Sequence, residues 1–205
     1  MPRPDQGRHP ESGGCGHRDR VLGNVSFPGP IDRSPPAAAN RPPSDFADAY
    51  PDTEVIGIDI SPIQPSWTSP NLKFEIDDCG LPWTFEPDSI DFVHIRYMAG
   101  SIKDWPFLFK EAYRCTKPGG WLQSFDANGI VDSDDGTVKP NSAIQQWGEF
   151  FIEGGKALGR PFTLLDDNTQ RLGMEAAGFV DIQSRDVSVR QTQPCIVPAS
   201  TWLLC

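Results

Sequence analysis

Long apolar runs, paired cysteines, clustered histidines and a basic stripe are all missing from this 205-residue chain. With no apolar stretch of roughly 18 residues, no transmembrane helix is expected, and a membrane is not an expected partner. The opening segment, MPRPDQGRHPESGG, has no apolar core and does not read as a secretory signal. Its five Cys (15, 79, 115, 195 and 205) form no C-x-x-C pair, and their odd number points to free thiols in a reducing compartment. The expected location is therefore cytoplasmic or nuclear, not secreted. His9, His17 and His94 are scattered, so no metal site is expected. Residues 1–44 hold six Arg against four acids, which places the acid excess behind the net charge of −10 in the remainder. That remainder shows no run of Lys and Arg, which argues against nucleic acid as a partner.

What is present falls into three parts. Residues 1–44 contain nine Pro and six Gly and are expected to be disordered or atypical, with one short apolar exception, DRVLGNVSF (19–27). Residues 45–189 read as one folded domain. Residues 190–205 show no clear period and form an atypical tail. Within the domain, DFADAY has helical character for under two turns. The β-branched run EVIGID predicts a strand over 55–59, alternation in NLKFEIDD predicts another over 72–76, and SIDFVHIRY a third over 89–97. DWPFLFKEAYRCT predicts a helix over 104–116, with Asp104 as its cap and Pro106 in its first turn. KPGG (117–120) reads as its stop, and WLQSFD as a fourth strand over 121–126. A longer helix is expected over 141–158, capped by Asn141 or Ser142, and another up to the stop at Gly178. A last strand is expected over 180–189. Alternating strands and helices define an α/β fold with a doubly wound, mostly parallel sheet.

In such a sheet, ligands sit beyond the carboxyl ends of the strands. Asp59 ends one strand. Asp77, Asp78 and Cys79 end the next, His94, Arg96 and Tyr97 the third, and Asp126 the fourth. Each has a plain structural alternative: the acids can cap strand ends, His94 can be a hydrogen-bonded core residue, Arg96 can pair with Asp126, and Cys79 can be a small filler. Trp83, Trp105 and Trp121 read as core, whereas Trp67 and Trp147 are weaker candidates to line an acceptor pocket.

In order along the chain, EVIGIDIS, FEIDDCGLPW, SIDFVHIRYMAGSIKDW, LFKEAYRCTKPGGWLQSFD and MEAAGFVDI resemble the successive motifs of class I S-adenosylmethionine-dependent methyltransferases. The likeness is closest to the fungal group that includes regulators of secondary metabolism, and it covers about residues 45–189. The resemblance implies a Rossmann-like fold, S-adenosyl-L-methionine as cofactor and methyl transfer to a small-molecule or protein acceptor. By position, Asp59 matches the acid that binds the ribose hydroxyls and Ile60 the apolar residue against the adenine. Asp78 matches the acid that accepts from the adenine amino group, and Cys79 the small residue whose N–H faces the ring. Asp91 with Phe92 matches the entry to a family strand, and Arg96 and Tyr97 match the segment lining the methionine end. No catalytic residue is named by the resemblance.

One family element is missing. The first strand and its G-x-G-x-G loop should precede DFADAY, yet GPIDRSPPAAANRPPS stands there, rich in Pro that lacks a ladder donor. The first strand is thus expected to be absent or substituted. RVLGNVSFPGP is the one available substitute, though its glycines, Gly23 and Gly29, are not spaced as in the motif. Without the glycine cradle, weak or undetectable cofactor binding is expected. Two other readings stay open: a noncatalytic domain serving regulation or partner binding, and the inactive product of a damaged gene model.

Overall fold

The computed structural model describes residues 20–24, 43–62, 66–127, 129–130, 133 and 136–185. Five strands form one sheet: β1 (Arg20–Asn24), β2 (Glu54–Asp59), β3 (Leu72–Ile76), β4 (Ile90–Arg96) and β5 (Thr116–Phe125). Their spatial order is β3-β2-β1-β4-β5, and every pairing is parallel. The helices are α1 (Pro43–Ala49), α2 (Trp105–Cys115), α3 (Ala143–Leu158) and α4 (Thr169–Ala177).

The first strand is present in substituted form, supplied from within the one substitute the sequence offers. Arg20–Asn24 occupies the centre of the sheet, bonded to β2 on one side and β4 on the other. The segment RVLGN supplies the strand that was expected to be absent or substituted. Two unpaired sheet edges, on β2 and on β4, would otherwise have been left inside the domain.

β2 is buried at Val55, Ile56, Gly57 and Ile58, as a parallel strand covered on both faces must be. Alternation sends its side chains two ways. Val55 joins Leu72 and, from α1, Phe46 and Ala47. Ile56 and Ile58 join Val93, Ile95 and Leu122 with Leu108, Phe109 and Ala112 of α2 and Met174 of α4. Each fully buried aliphatic or aromatic side chain contributes on the order of 1.5–3 kcal/mol. Trp83 and Trp105 are buried in the second cluster, as expected, and Trp121 is half-buried.

α2 begins where the sequence places it. Asp104 Oδ1 accepts from the Phe107 N–H at 2.9 Å, and Pro106 sits in the first turn. Its partly exposed side is tied to the segment after β3: Glu111 Oε2 accepts from the Trp83 N–H at 2.9 Å, and Arg114 donates to the Trp83 and Phe85 carbonyls, both at 2.9 Å.

Three further expectations change. KPGG does not separate α2 from β5; it lies inside the strand span as an irregularity, where the register with β4 jumps from Ile90↔Thr116 to Phe92↔Trp121. Gly120 is required there, because a Cβ would come within 2.8 Å of the Asp91 carbonyl oxygen. Residues 180–185 form no strand: Asp181 takes a left-handed φ of 54°, which interrupts an extended chain, and Val180 is 40% exposed. Residues 186–189 of that expected strand lie outside the described residues, as do residues 1–18 and 30–42 of the expected irregular segments. Pro43, placed with the latter, opens α1 instead.

Candidate functional site

The chain runs outward from β1 to β2 and β3, then returns across β1 to β4 and β5. The direction of winding therefore reverses at β1, and the crevice beyond the carboxyl ends of the strands at that switch point is where such sheets hold ligands.

Register fixes which side chains face that crevice. Gly57, Gly23 and His94 stand in one row across β2, β1 and β4. Asp59 and Arg96 each lie two residues beyond that row, so they are level, on the same face of the sheet, one on each side of β1. Ile76 on β3 and Phe125 on β5 complete the row.

On the acidic side, the Ser61 N–H donates to Asp59 Oδ1 at 2.8 Å, a tight local turn that holds the carboxylate at the strand end. The Asp77 N–H donates to the Asp59 carbonyl at 3.1 Å, which holds the end of β3 against the end of β2. Asp77 Oδ1 accepts from the Asp78 N–H and Asp78 Oδ1 from the Gly80 N–H, both at 2.8 Å. Each carboxylate keeps further acceptor positions. Between them lies the Cys79 thiol, pushed up to about 11 by burial first, then by the negative charges of Asp78, Asp77 and Asp59. A protonated thiol at neutral pH is not a nucleophile. The Cys79 carbonyl accepts from Trp83 Nε1 at 3.0 Å, which fixes this turn to the core. Ile60, next to Asp59, is 69% exposed.

On the other side of β1, Tyr97 takes a left-handed φ of 51°, uncommon for a residue with a Cβ. Its N–H donates to the Phe125 carbonyl at 3.0 Å, its ring stands edge-on to Phe125, and the Arg96 guanidinium lies 4.8 Å over that ring. Arg96 does not pair with Asp126, against the structural alternative read from the sequence. The Asp126 carboxylate is engaged by backbone: Oδ2 accepts from Met98 and Ala99 N–H at 2.8 and 3.1 Å, and Oδ1 from Ala127. Its pKa is raised by burial, partly offset by those three bonds. Among the described residues Arg96 makes no ion pair, and its buried Nε and Nη1 have no hydrogen-bond partner.

His94 is a core residue, as the apolar run around it suggests. It is 1% exposed, with Nδ1 2.9 Å from Gln123 Oε1, and burial lowers its pKa to about 4. Closed off from solvent and with its basicity lowered, the ring is a poor general base. Asp91 lies at the opposite end of β4, in a 2.6 Å ion pair with Lys117.

Sequence reasoning missed the wall beside Tyr97. Phe162 lies flush against Gly100, where a Cβ would come within 1.9 Å of its ring, and against Gly129 and Gly155. The Phe151 ring lies tilted against Phe162 with centroids 5.3 Å apart, and Trp147 meets Phe151 edge-on at 5.0 Å. Trp147, a weak sequence candidate, is thus joined by an aromatic series to Gly100 in the loop after β4, whereas Trp67 is 79% exposed and has no described ring contact. The signal for Phe162 is three separated glycines that only the fold brings together. Among the described residues no group of three or more His, Cys, Asp or Glu could hold a metal ion, and no helix is long and apolar enough to cross a membrane.

An open parallel sheet, wound both ways from a central strand and ending in acids on one side of it and a cation on the other, defines a doubly wound α/β protein, a fold that holds its ligands at the switch point. Residues 44–184 match the family model described as a methyltransferase domain, and the chain belongs to that family. The family's cofactor is S-adenosylmethionine. The chain is 35% identical over 160 residues to the secondary metabolism regulator LAE1 of Cochliobolus heterostrophus, covering 77% of this chain and 49% of that one. It is 46% identical over 135 residues to the methyltransferase pytC of Aspergillus terreus, covering 65% and 41%. The chain thus spans half or less of the length of these relatives. A solved structure, phosphoethanolamine N-methyltransferase 2 of Haemonchus contortus with S-adenosyl-L-methionine, superimposes with a TM-score of 0.46 at 22% identity, over 83% of this chain and 35% of that one.

Proposed function

We propose that this domain binds S-adenosylmethionine across the end of β1 and transfers its methyl group to a small-molecule acceptor of the kind handled in fungal secondary metabolism. The observation that carries the reading is the placement of Asp59 at the end of β2 and of Asp77 and Asp78 just past the end of β3, the two ends tied by the Asp77 N–H to the Asp59 carbonyl at 3.1 Å. Three carboxylates held together at two adjacent strand ends suit a ligand that donates several hydrogen bonds, as a nucleoside does. Asp59 would accept from the ribose diol with the positions Ser61 leaves open. Asp78 would accept from the adenine amino group, Cys79 would present its N–H to the ring, and the exposed Ile60 would lie against the adenine face. Arg96 and Tyr97 would line the methionine end. The expectation of weak or absent binding rested on the missing glycine cradle; the central β1 supports binding because it supplies the strand end across which the cofactor would lie.

Bound there, the cofactor supplies an electrophilic methyl on a sulfonium. The chain's own contribution is position: holding the acceptor in line with the methyl accounts for most of what such a site does. With His94 buried and weakly basic, the acceptor brings its own nucleophile rather than being deprotonated by that ring. The exposed aromatic series ending in Trp147 supports an acceptor with an apolar, planar part.

Calorimetric titration with S-adenosylhomocysteine tests the reading. Binding near micromolar, about −8 kcal/mol, reduced at least about tenfold in Asp59→Ala, is expected. A well-folded protein that binds no S-adenosylhomocysteine would overturn it. The relatives' regulatory name motivates the noncatalytic alternative, and cofactor binding without transfer to any acceptor would favour that.

A further inference from the structure

We infer that Arg96 is the anchor for the carboxylate of the cofactor's amino-acid end, a charge-based hold that offsets the lack of a G-x-G-x-G sequence. The inference rests on the cofactor reading above and extends it to the half of the ligand that the acids cannot grip.

The argument starts from cost. A guanidinium carries five N–H donors and is always charged. Leaving two of its nitrogens buried and unbonded costs far more than leaving an exposed one so, because water no longer substitutes for the missing acceptor. Arg96 Nε and Nη1 are in that state. The obvious protein acceptor, Asp126, is occupied by three backbone N–H groups. The side chain is nevertheless held in place: it lies over the Tyr97 ring at 4.8 Å, and the left-handed turn at Tyr97 sets that ring beneath it. A cation that is ordered, partly desolvated and unpaired calls for an anion, and a fork of donors matches a carboxylate best.

Position says which carboxylate. Arg96 is level with Asp59 and two strands away, about 10 Å at the usual strand spacing. A ligand that gives its ribose hydroxyls to Asp59 and extends over the end of β1 brings its amino-acid end to β4. The acids on the near side would repel a carboxylate, so the charge pattern also fixes the direction in which the ligand lies. In a glycine-rich loop the hold on this end comes from backbone N–H groups; here a side chain on a rigid strand would supply it.

The test compares two ligands on the full chain: S-adenosylhomocysteine and its decarboxylated analogue, which keeps the nucleoside, the thioether and the amine. Charged hydrogen bonds of this kind carry roughly 10- to 100-fold in affinity. Arg96→Met is expected to weaken S-adenosylhomocysteine by that factor and to leave the decarboxylated analogue within about twofold, with Arg96→Lys in between. Melting curves of each variant establish that it is folded, and Arg96→Gln stands in if Arg96→Met is not. Equal weakening of both ligands, or of neither, overturns the anchor while leaving the nucleoside site standing. Failure of the wild-type protein to bind either ligand, with Asp59→Ala making no difference, overturns the cofactor reading and the anchor with it.

Discussion

α2 and α3 are both amphipathic helices, yet they meet the rest of the molecule in opposite ways. α2 buries Trp105, Leu108, Phe109, Ala112 and Cys115, so its large side chains dock it on the sheet. α3, five residues longer, buries only Gly148 and Gly155, and leaves Trp147 63%, Phe150 71% and Leu158 70% exposed. The apolar stripe of α3 is wider than the surface it covers. Its contact side is made of glycines, which let the backbone approach 129–130 and Phe162, and its aromatic side is turned out. In α2 the hydrophobic pattern marks the buried face; in α3 the same pattern marks a face that the described residues leave exposed.

The sharpest way to break that comparison is on α2. Phe109→Ala removes a side chain with no exposed surface and is expected to cost about 3–5 kcal/mol in urea unfolding. A cost under about 1 kcal/mol would mean that the α2 side is not the core.

The sheet under α2 also carries a titration. His94 is held neutral, its pKa lowered by burial from 6.5 to about 4. The unfolded chain therefore takes up this proton first as pH falls. The stability it leaves intact above pH 6.5 is lost progressively down to pH 4, by about 3 kcal/mol in all. Glu111, lowered chiefly by its hydrogen bond from Arg114, acts in the same direction only below the ordinary carboxyl range, and Asp126, raised by burial, acts in the opposite direction. Stability measured against pH should flatten between 4 and 6.5 in His94→Gln; an unchanged slope would show that another group is responsible.

On α3 the sensitive positions should be the glycines. A Cβ at Gly148 would lie 2.5 Å from the Gly129 carbonyl oxygen, so Gly148→Ala is expected to cost about 1–3 kcal/mol by thermal melting. The smallest effect belongs to Trp147→Gln, expected within about 0.5 kcal/mol of wild type in the same melts because the ring is exposed. A large loss there would mean that the aromatic face is covered after all.

How much of this was legible depended on how local the signal is. The strands around Val55–Ile58 and Phe92–Ile95 announce themselves by β-branched runs, and α2 by Asp104, Pro106 and its spacing, because neighbours in sequence decide those elements. The acids Asp59 and Asp78 were legible as polar residues closing such runs. β1 was not legible to the same degree: five residues including Gly23 carry little strand propensity, and what makes RVLGN a strand is two partners far along the chain. KPGG was misread as a stop because an irregular stretch inside a strand looks like a turn. Neither the unpaired state of Arg96 nor the seat of Phe162 has a sequence signature, since both are set by which groups the fold brings within reach.

The placement of β1 also bears on the order in which the molecule assembles. Its partners lie 34 positions on in β2 and 71 positions on in β4. The β4–β5 pairing spans only 26 to 29 positions across α2. Each doubling of a closed loop adds about 0.6 kcal/mol of entropy cost, and here both of β1's loops must close before the strand gains its full set of bonds. β4, α2 and β5 are expected to form early, and β1 to enter last, as a wedge between two halves already made. Until it does, β2 and β4 face each other across a gap with their ladder groups unpaired, and the chain is most open to joining another copy of itself. Pulsed hydrogen exchange during refolding should show the amides of β1 protected after those of β5; protection of β1 first would reverse the order.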